Sequence, residues 1–291
     1  MRRILYGLIV IGLVVALAGL WITRPERVDA AVLASLDGDT ERGEVVYWAA
    51  GCASCHTAPD SDDKLALAGG QKFATDFGTF LAPNISPDPA NGIGNWTVAD
   101  FASAVTRGTS PDGKHYYPAF PYTSYGRMTD QDVVDLWAFM KALPAQSTPN
   151  KPHEVGFPFN IRLSLGGWKL LFFDRQADLS TSDNERGQYL VEVLGHCAEC
   201  HTPRNILGGW DRSQWLAGAP NPSGRGRIPG LRPGQLDWAL DDLEFYLDTG
   251  LTPDFDSAGG EMVSVIENLA RLSTEDRLAI AQYILSLPAS N

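Results

Sequence analysis

The pattern of apolar and polar positions predicts an apolar N-terminal segment followed by a folded chain. After Arg2 and Arg3, residues 4–22 form an uncharged run of 19 positions. A signal-peptide core usually has about 7–15 apolar residues, whereas a membrane span needs roughly 17–25. We therefore favour an uncleaved anchor in residues 1–30, with a long cleaved signal peptide as the alternative. Basic residues stay cytoplasmic, so both interpretations place the rest of the chain outside the cytoplasm.

Further along, apolar residues recur at the spacing of amphipathic helices. Thr129 and the acids after it are typical of a helix N-terminus. The i, i+3, i+4, i+7 spacing then indicates one apolar face, made of Val133, Leu136, Trp137 and Met140. Ser273 opens the same pattern in a second helix, which continues with Leu278, Ala281, Ile284 and Leu285. These helices should end at Leu143 and Leu287, each before a proline.

The two helix patterns belong to an internal repeat. Arg42-Gly43 recurs as Arg186-Gly187, and the two helix starts lie 144 positions apart, at 129 and 273. Two copies of one unit explain this spacing. Each copy should also contain a short helix that stops near a glycine, namely 44–50 before Gly51 and 188–194 before Gly195.

These patterns predict an all-α fold of two tandem domains with long Pro- and Gly-rich loops, preceded by one transmembrane helix. The predicted segments are the anchor 1–30, domain one 34–146, a connecting segment 147–177 and domain two 178–291. Residues 161–173 of the connecting segment are amphipathic and too short to span a bilayer. We favour a plug between the domains over a second membrane-binding helix for this stretch.

Composition and charge narrow the classes of partner. The chain is 44% hydrophobic and 20% charged, which is typical of a folded protein. Its net charge is −12, which argues against a nucleic-acid partner because such binding needs clustered cations. An acidic surface instead suits a soluble protein that presents a basic face.

All four cysteines belong to two copies of one motif. Cys52 and Cys55 precede His56, and Cys197 and Cys200 precede His201. C-x-x-C-H is the attachment pattern of c-type haem. Its two thiols can add to the vinyl groups of one porphyrin, and the next residue then holds an imidazole under the iron. The sequence therefore predicts two covalently bound haem c groups.

Three other interpretations of the cysteines are less well supported than haem attachment. Disulfides are plausible outside the cytoplasm, but they require no histidine after each pair. A zinc site would have C-x-x-C pairs about 15–20 residues apart, whereas Cys55 and Cys197 are separated by 141 residues. A thioredoxin-like redox pair has no trailing histidine and would rarely occur twice.

The second axial ligand of each iron is sought among the few methionines, because cytochromes c commonly pair Met with His. Met262 precedes the last helix in a Gly-rich loop and is the candidate for the second haem. Met128 is the candidate for the first haem, although the repeat aligns Pro118, not Met128, with Met262. His115, which we expect at the surface, and an open site are the alternatives for the first iron, and Met140 is expected in the core.

The chain resembles the cytochrome c subunits of membrane-bound bacterial alcohol, gluconate and fructose dehydrogenases. The resemblance rests on Pro83-Asn84-Ile85-Ser86-Pro87-Asp88, Gly92-Ile93-Gly94-Asn95-Trp96, Tyr117-Pro118-Ala119-Phe120-Pro121-Tyr122, and the stretch from Gly195 to Asn205 around the second motif. It implies cytochrome c domains, electron transfer and a periplasmic site at the membrane. Those subunits usually have three haem motifs, and they often have methionine where Phe120 stands here.

The resemblance and the motifs together predict a non-enzymatic relay. A periplasmic dehydrogenase would donate single electrons, and a soluble cytochrome or a terminal oxidase would accept them. The chain would be a single-pass protein of the cytoplasmic membrane with its haem domains in the periplasm. The alternative is a dihaem enzyme of peroxidase type, which needs one open iron; a thiosulfate-oxidising enzyme is disfavoured because there is no fifth cysteine.

Overall fold

The computed structural model describes residues 2–175, 182–222 and 226–289. Met1 and the predicted boundary between residues 177 and 178 therefore lie outside the described residues. Within the described ranges the chain is rich in helices, and long loops connect them, as the sequence pattern predicts.

The helices are short apart from the first one, and their bounds follow in chain order. They are α1 (Arg2–Ile22), α2 (Ala30–Leu33), α3 (Thr40–Ala49), α4 (Cys52–His56), α5 (Val98–Arg107), α6 (Tyr122–Tyr125), α7 (Asp130–Ala142), α8 (Ser164–Phe172), α9 (Glu185–Tyr189), α10 (Ala198–His201), α11 (Leu240–Thr249), α12 (Met262–Leu269) and α13 (Thr274–Ser286). A π-helical turn, Leu190–Leu194, continues α9, and a 3-10 turn covers Arg212–Gln214. Helix α1 has no buried residue and is long and apolar enough to cross a membrane.

The two helices predicted to start at Thr129 and Ser273 are confirmed as α7 and α13. The Thr129 side chain accepts a hydrogen bond from the Asp132 amide, and the Ser273 side chain accepts one from the Asp276 amide. Both caps satisfy an amide that the first helical turn leaves free. Met140 of α7 is 1% exposed, so its predicted place in the core is also confirmed.

The expectation of an all-α fold is wrong in one respect, because the described residues form two small antiparallel sheets. Strands β1 (Lys72–Thr75) and β2 (Gly78–Leu81) form a hairpin, and β3 (Ala219–Pro220) pairs with β4 (Arg227–Ile228). Gly78 has a φ of 132°, which allows the chain to leave the tight turn directly into β2. Both sheets are short and lie in the loops between helices, and the fold remains helix-rich.

The second copy of the repeat has one more residue between its Arg-Gly pair and its first cysteine. The π-helical turn Leu190–Leu194 accommodates this extra residue, because a π-helical turn contains more residues than a turn of α-helix. The predicted helix stop near Gly195 is confirmed, since Gly195 is the C-cap of this turn, with a φ of −72°. His196 has the positive φ of 40° instead, in the place that Gly51 occupies with 64° in the first copy.

The repeated Arg-Gly pair marks a helix contact within each half. A side chain on Gly43 would meet the Asp135 carbonyl oxygen of α7 at 2.1 Å, and one on Gly187 would meet the Ala279 oxygen of α13 at 2.1 Å. Glycine therefore lets the N-terminal helix of each half touch its C-terminal helix. The neighbouring Arg42 pairs with Asp135 at 2.7 Å, and Arg186 pairs with Asp276 at 2.7 Å.

The two halves share one continuous apolar core, which includes Tyr47 and Val133 from the first half and Val191 and Ile280 from the second. A buried ion pair crosses the same interface. Arg127 donates to a carboxylate oxygen of Glu192 at 3.1 Å and to its main-chain oxygen at 2.9 Å. The two side chains are only 7% and 11% exposed.

Glu192→Leu is expected to destabilise the protein, because it leaves the Arg127 guanidinium buried without a counter-charge. Removing one partner of such a pair costs about 3–5 kcal/mol of unfolding free energy. The measurement is guanidinium unfolding beside a control, Glu154→Ala, which breaks a pair with Lys72 whose side chains are 60% and 58% exposed. The control should lose about 0–1 kcal/mol. Equal losses in the two variants would contradict a structural role for the buried pair.

Candidate haem sites

The first motif forms one helical turn whose histidine ring is held by the main chain. Gly51 caps α4 in the left-handed conformation, and α4 runs from the first cysteine to the histidine. His56 Nδ1 lies 2.8 Å from the carbonyl oxygen of Pro83, to which it donates. This contact uses the Nδ1 proton and leaves Nε2 as the nitrogen available to a metal.

The second motif repeats this arrangement. Cys197 is the N-cap of α10, which ends at His201, and the Nδ1 of His201 lies 2.8 Å from the carbonyl oxygen of Pro229. Burial lowers the pKa of both His56 and His201, while the carbonyl contact acts in the opposite direction. The neutral imidazole, which is the form that binds iron, is thus favoured in each half.

Two glycines also fix the histidines, and sequence reasoning missed them. The Gly69 amide donates to the His56 carbonyl at 2.7 Å, and the Gly218 amide donates to the His201 carbonyl at 2.8 Å. Both have positive φ, 70° and 82°, and a side chain on either would strike the backbone at Pro83 or Pro229. The recurrence of Pro83 and Pro229 at nearly the repeat spacing is the signal that could have revealed this.

All four cysteines are available for thioether bonds. None of the four is in a disulfide. Burial raises the pKa of Cys52 and of Cys197 to about 12, whereas thiol-exchange enzymes lower the pKa of their attacking thiol. Within the described residues, no three His, Cys, Asp or Glu side chains are grouped to hold a metal ion. The residues fit an iron carried by a porphyrin and fixed through two thioether bonds and one imidazole.

The two candidate methionines lie in different settings. Met128 is 7% exposed, joins the shared core and directly precedes the cap of α7. Met262 is the first residue of α12, so its expected position in a loop is wrong by one residue. It is partly buried and packs against the same core.

His115, the alternative ligand of the first iron, is not at the surface as expected. It is 3% exposed, and its Nε2 donates to the Thr23 carbonyl at 2.9 Å, just after α1 ends. The Nε2 nitrogen is therefore occupied by a main-chain contact. The Nδ1 of His115 is buried without a hydrogen-bond partner among the described residues, so the preference for Met128 rests on its place in the core against which Cys52 packs.

The two motifs approach each other across the interface between the halves. The Tyr125 hydroxyl donates to the Ala50 carbonyl at 2.6 Å, and its ring packs edge-on against His196 at 5.3 Å between centroids. On the other side, Asn268 of α12 donates to Ser54, inside the first motif, at 2.6 Å. Side chains of each half thus touch the haem-attachment segment of the other, which sequence patterns do not reveal.

The helix-rich fold and two C-x-x-C-H turns with oriented histidines define a c-type cytochrome. The cytochrome c family model matches residues 40–144. The chain is 54% identical to a "Diheme cytochrome c-type" of Cereibacter sphaeroides over 99% of both chains. It belongs to the dihaem c-type cytochromes, and two haem c groups are bound covalently.

The chain is also similar to larger proteins. It is 38% identical to a "Fructose dehydrogenase cytochrome subunit" of Gluconobacter japonicus over 85% of this chain and 52% of that one. It is 35% identical to an "Alcohol dehydrogenase (quinone), cytochrome c subunit" of Gluconobacter oxydans over 86% of this chain and 55% of that one. The chain therefore spans about half the length of these dehydrogenase subunits.

Gly218→Ala tests the hydrogen bond from the Gly218 amide to the His201 carbonyl. The left-handed conformation costs a residue with a side chain roughly 1–2 kcal/mol, and here the new methyl would also lie 2.7 Å from the Gly230 amide nitrogen. We expect a larger loss of unfolding free energy than in Gly234→Ala, whose φ of 87° is similar but whose side chain would enter open space. Redox titration should show a changed second haem in Gly218→Ala only. Equal unfolding free energies and equal potentials in the two variants would show that Gly218 does not position His201.

Proposed function

We propose that the protein is a membrane-anchored periplasmic dihaem cytochrome that relays single electrons. A periplasmic dehydrogenase is the donor, and a soluble cytochrome or a terminal oxidase is the acceptor. The observation that carries this proposal is the pair of oriented axial histidines in halves that share one core. Relatives named as cytochrome subunits of dehydrogenases support the donor class.

The proposed haem-binding residues are the motif residues and one methionine in each half. Cys52 and Cys55 attach the first haem, and Cys197 and Cys200 attach the second; the axial pairs are His56 with Met128 and His201 with Met262. When bound, each haem supplies a one-electron carrier whose potential is raised by a thioether ligand. The protein would orient the imidazoles through the Pro83 and Pro229 carbonyls, and a methionine sulfur bound to each iron would keep substrates away from it.

The proposal gives each segment of the chain a role. Residues 1–30 anchor the protein through α1, 34–146 and 178–291 form tandem cytochrome c domains, and 147–177 connect them. The family-model match to residues 40–144 supports the first domain. The net charge of −12 suits an electron acceptor with a basic docking face in a fast, salt-sensitive complex.

Met262→Leu tests the sixth ligand of the second haem, because it removes the thioether and keeps the apolar volume. We expect the potential of that haem to fall, since the soft sulfur ligand stabilises the ferrous state. Redox titration followed by absorbance measures the change. Met140→Leu is the matched control. Met140 lies on α7 with its side chain buried in the core, so this variant should leave both potentials unchanged. Unchanged potentials in Met262→Leu would refute this ligand.

Met128→Leu tests the first haem in the same way, with His115→Ala as its comparison. We expect Met128→Leu to lower the potential of the first haem and to make its iron bind carbon monoxide. His115→Ala should leave that haem unchanged, because the His115 ring is held beside Thr23 at the end of α1. The reverse outcome would assign the iron to His115. Rapid carbon monoxide binding by the unmodified protein would instead support the peroxidase-type enzyme.

A further inference from the structure

The connecting helix α8 exposes apolar side chains on one side. Leu163, Leu170 and Leu171 are 56%, 67% and 69% exposed, and they follow the spacing of a single helix face. Gly167, between them on the same face, borders open space. Leu207, which is 53% exposed, lies beside α8 because its carbonyl accepts a hydrogen bond from Trp168 at 2.8 Å. We call the three leucines Leu163, Leu170 and Leu171 the outer face of α8.

The opposite side of α8 is buried between the two halves. Leu165 packs with Phe80 and Tyr117 of the first half. The Phe172 ring lies directly against Gly209 of the second half, where an added side chain would come within 2.3 Å of it. The helix therefore does form the expected contact between halves, but that contact uses only one of its two apolar sides.

The single charge of α8 points inward, which reverses the usual arrangement of a surface helix. Lys169 donates to the carbonyl oxygens of Arg107 and Gly108, at the C-terminal end of α5, at 2.7 and 2.8 Å. Its ammonium group also lies 4.7 Å from the centre of the Tyr122 ring. Burial lowers the pKa of Lys169 to about 7. A helix that buries its lysine and exposes its leucines is suited to an apolar medium on its outer side.

The end of the apolar helix α1 is fixed against α8. A side chain on Gly166 would meet the Thr23 carbonyl oxygen at 2.2 Å, so the two backbones touch one residue after α1 ends. Leu170 lies one turn beyond Gly166, on the same side of α8. The outer face thus lies at the level where the chain leaves α1.

The residues at this junction are those that mark a membrane surface. Trp21 is 66% exposed near the end of α1, and the Arg24 guanidinium stacks on its ring at 5.0 Å. Tryptophan and basic residues are enriched where a membrane helix meets the lipid headgroups. Because the outer face of α8 adjoins the end of α1, its partner is a lipid surface rather than the dehydrogenase.

We propose that the outer face of α8 lies in the lipid headgroup region of the membrane and holds the cytochrome at a fixed orientation beside α1. This inference rests on the proposed anchoring by α1 and adds a second, interfacial contact to it. Such contacts bury an apolar helix side at the boundary between headgroups and acyl chains. The haem-bearing halves are then a rigid body on the membrane rather than a particle on a flexible tether.

The test uses the full-length holoprotein in vesicles of phosphatidylethanolamine and phosphatidylglycerol. The photo-crosslinking residue benzoylphenylalanine replaces Leu171 in one variant and Phe245 in a control; Phe245 is also exposed, at 45%, but lies on α11. We expect lipid adducts, detected by mass spectrometry, from position 171 and not from position 245. Absorbance spectra of both variants should match the unmodified protein.

The outcomes separate this inference from the proposed anchoring. Protein that sediments with the vesicles but forms no lipid adduct at position 171, or equal adducts at both positions, would overturn the interfacial contact alone. Protein that stays soluble would overturn the anchor and the contact together. Leu170→Glu adds an independent readout, because hydrogen exchange in residues 164–172 should rise in vesicles relative to the unmodified protein if lipid covers this face. Unchanged exchange would count against the inference.

Discussion

The hydrogen bond from the histidine of each C-x-x-C-H motif to a proline carbonyl is the interaction on which the rest of the structure depends. With Nδ1 of His56 held by Pro83, and Nδ1 of His201 held by Pro229, each ring has one tautomer and one free nitrogen. The surrounding features serve this contact. The glycines Gly69 and Gly218 bring the loop backbone close to the motif, and the contact between the terminal helices of each half holds that motif on a rigid base.

The interface between the halves gives the two sites their relation to each other. Separate cytochrome domains would each bury their own core, but here one core is continuous and the Arg127–Glu192 pair is buried within the interface. Tyr125 and His196 lie between the two haem-attachment segments. For a relay, this fixed junction matters because electron transfer between two carriers depends steeply on their separation. A rigid junction keeps that separation constant.

Much of this was readable from the sequence, for definite reasons. The helices α7 and α13 have recognisable side-chain caps, and C-x-x-C-H is a covalent requirement that tertiary context does not override. The errors arose where long-range contacts decide. Burial beside α1 removed His115 from the surface, and no sequence pattern indicated the positive φ of His196, which follows the inserted residue of the second copy. The partners of the histidines, Pro83 and Pro229, are distant in the chain.

The most direct test of the account is the transfer of one electron between the two haems within a single molecule. Pulse radiolysis of the oxidised protein reduces the more accessible haem, and absorbance then follows the redistribution of that electron. The relay predicts a redistribution phase whose rate is independent of protein concentration, in a protein whose two irons are both six-coordinate. A redistribution rate proportional to protein concentration would show that electrons pass only between molecules, and it would contradict the account.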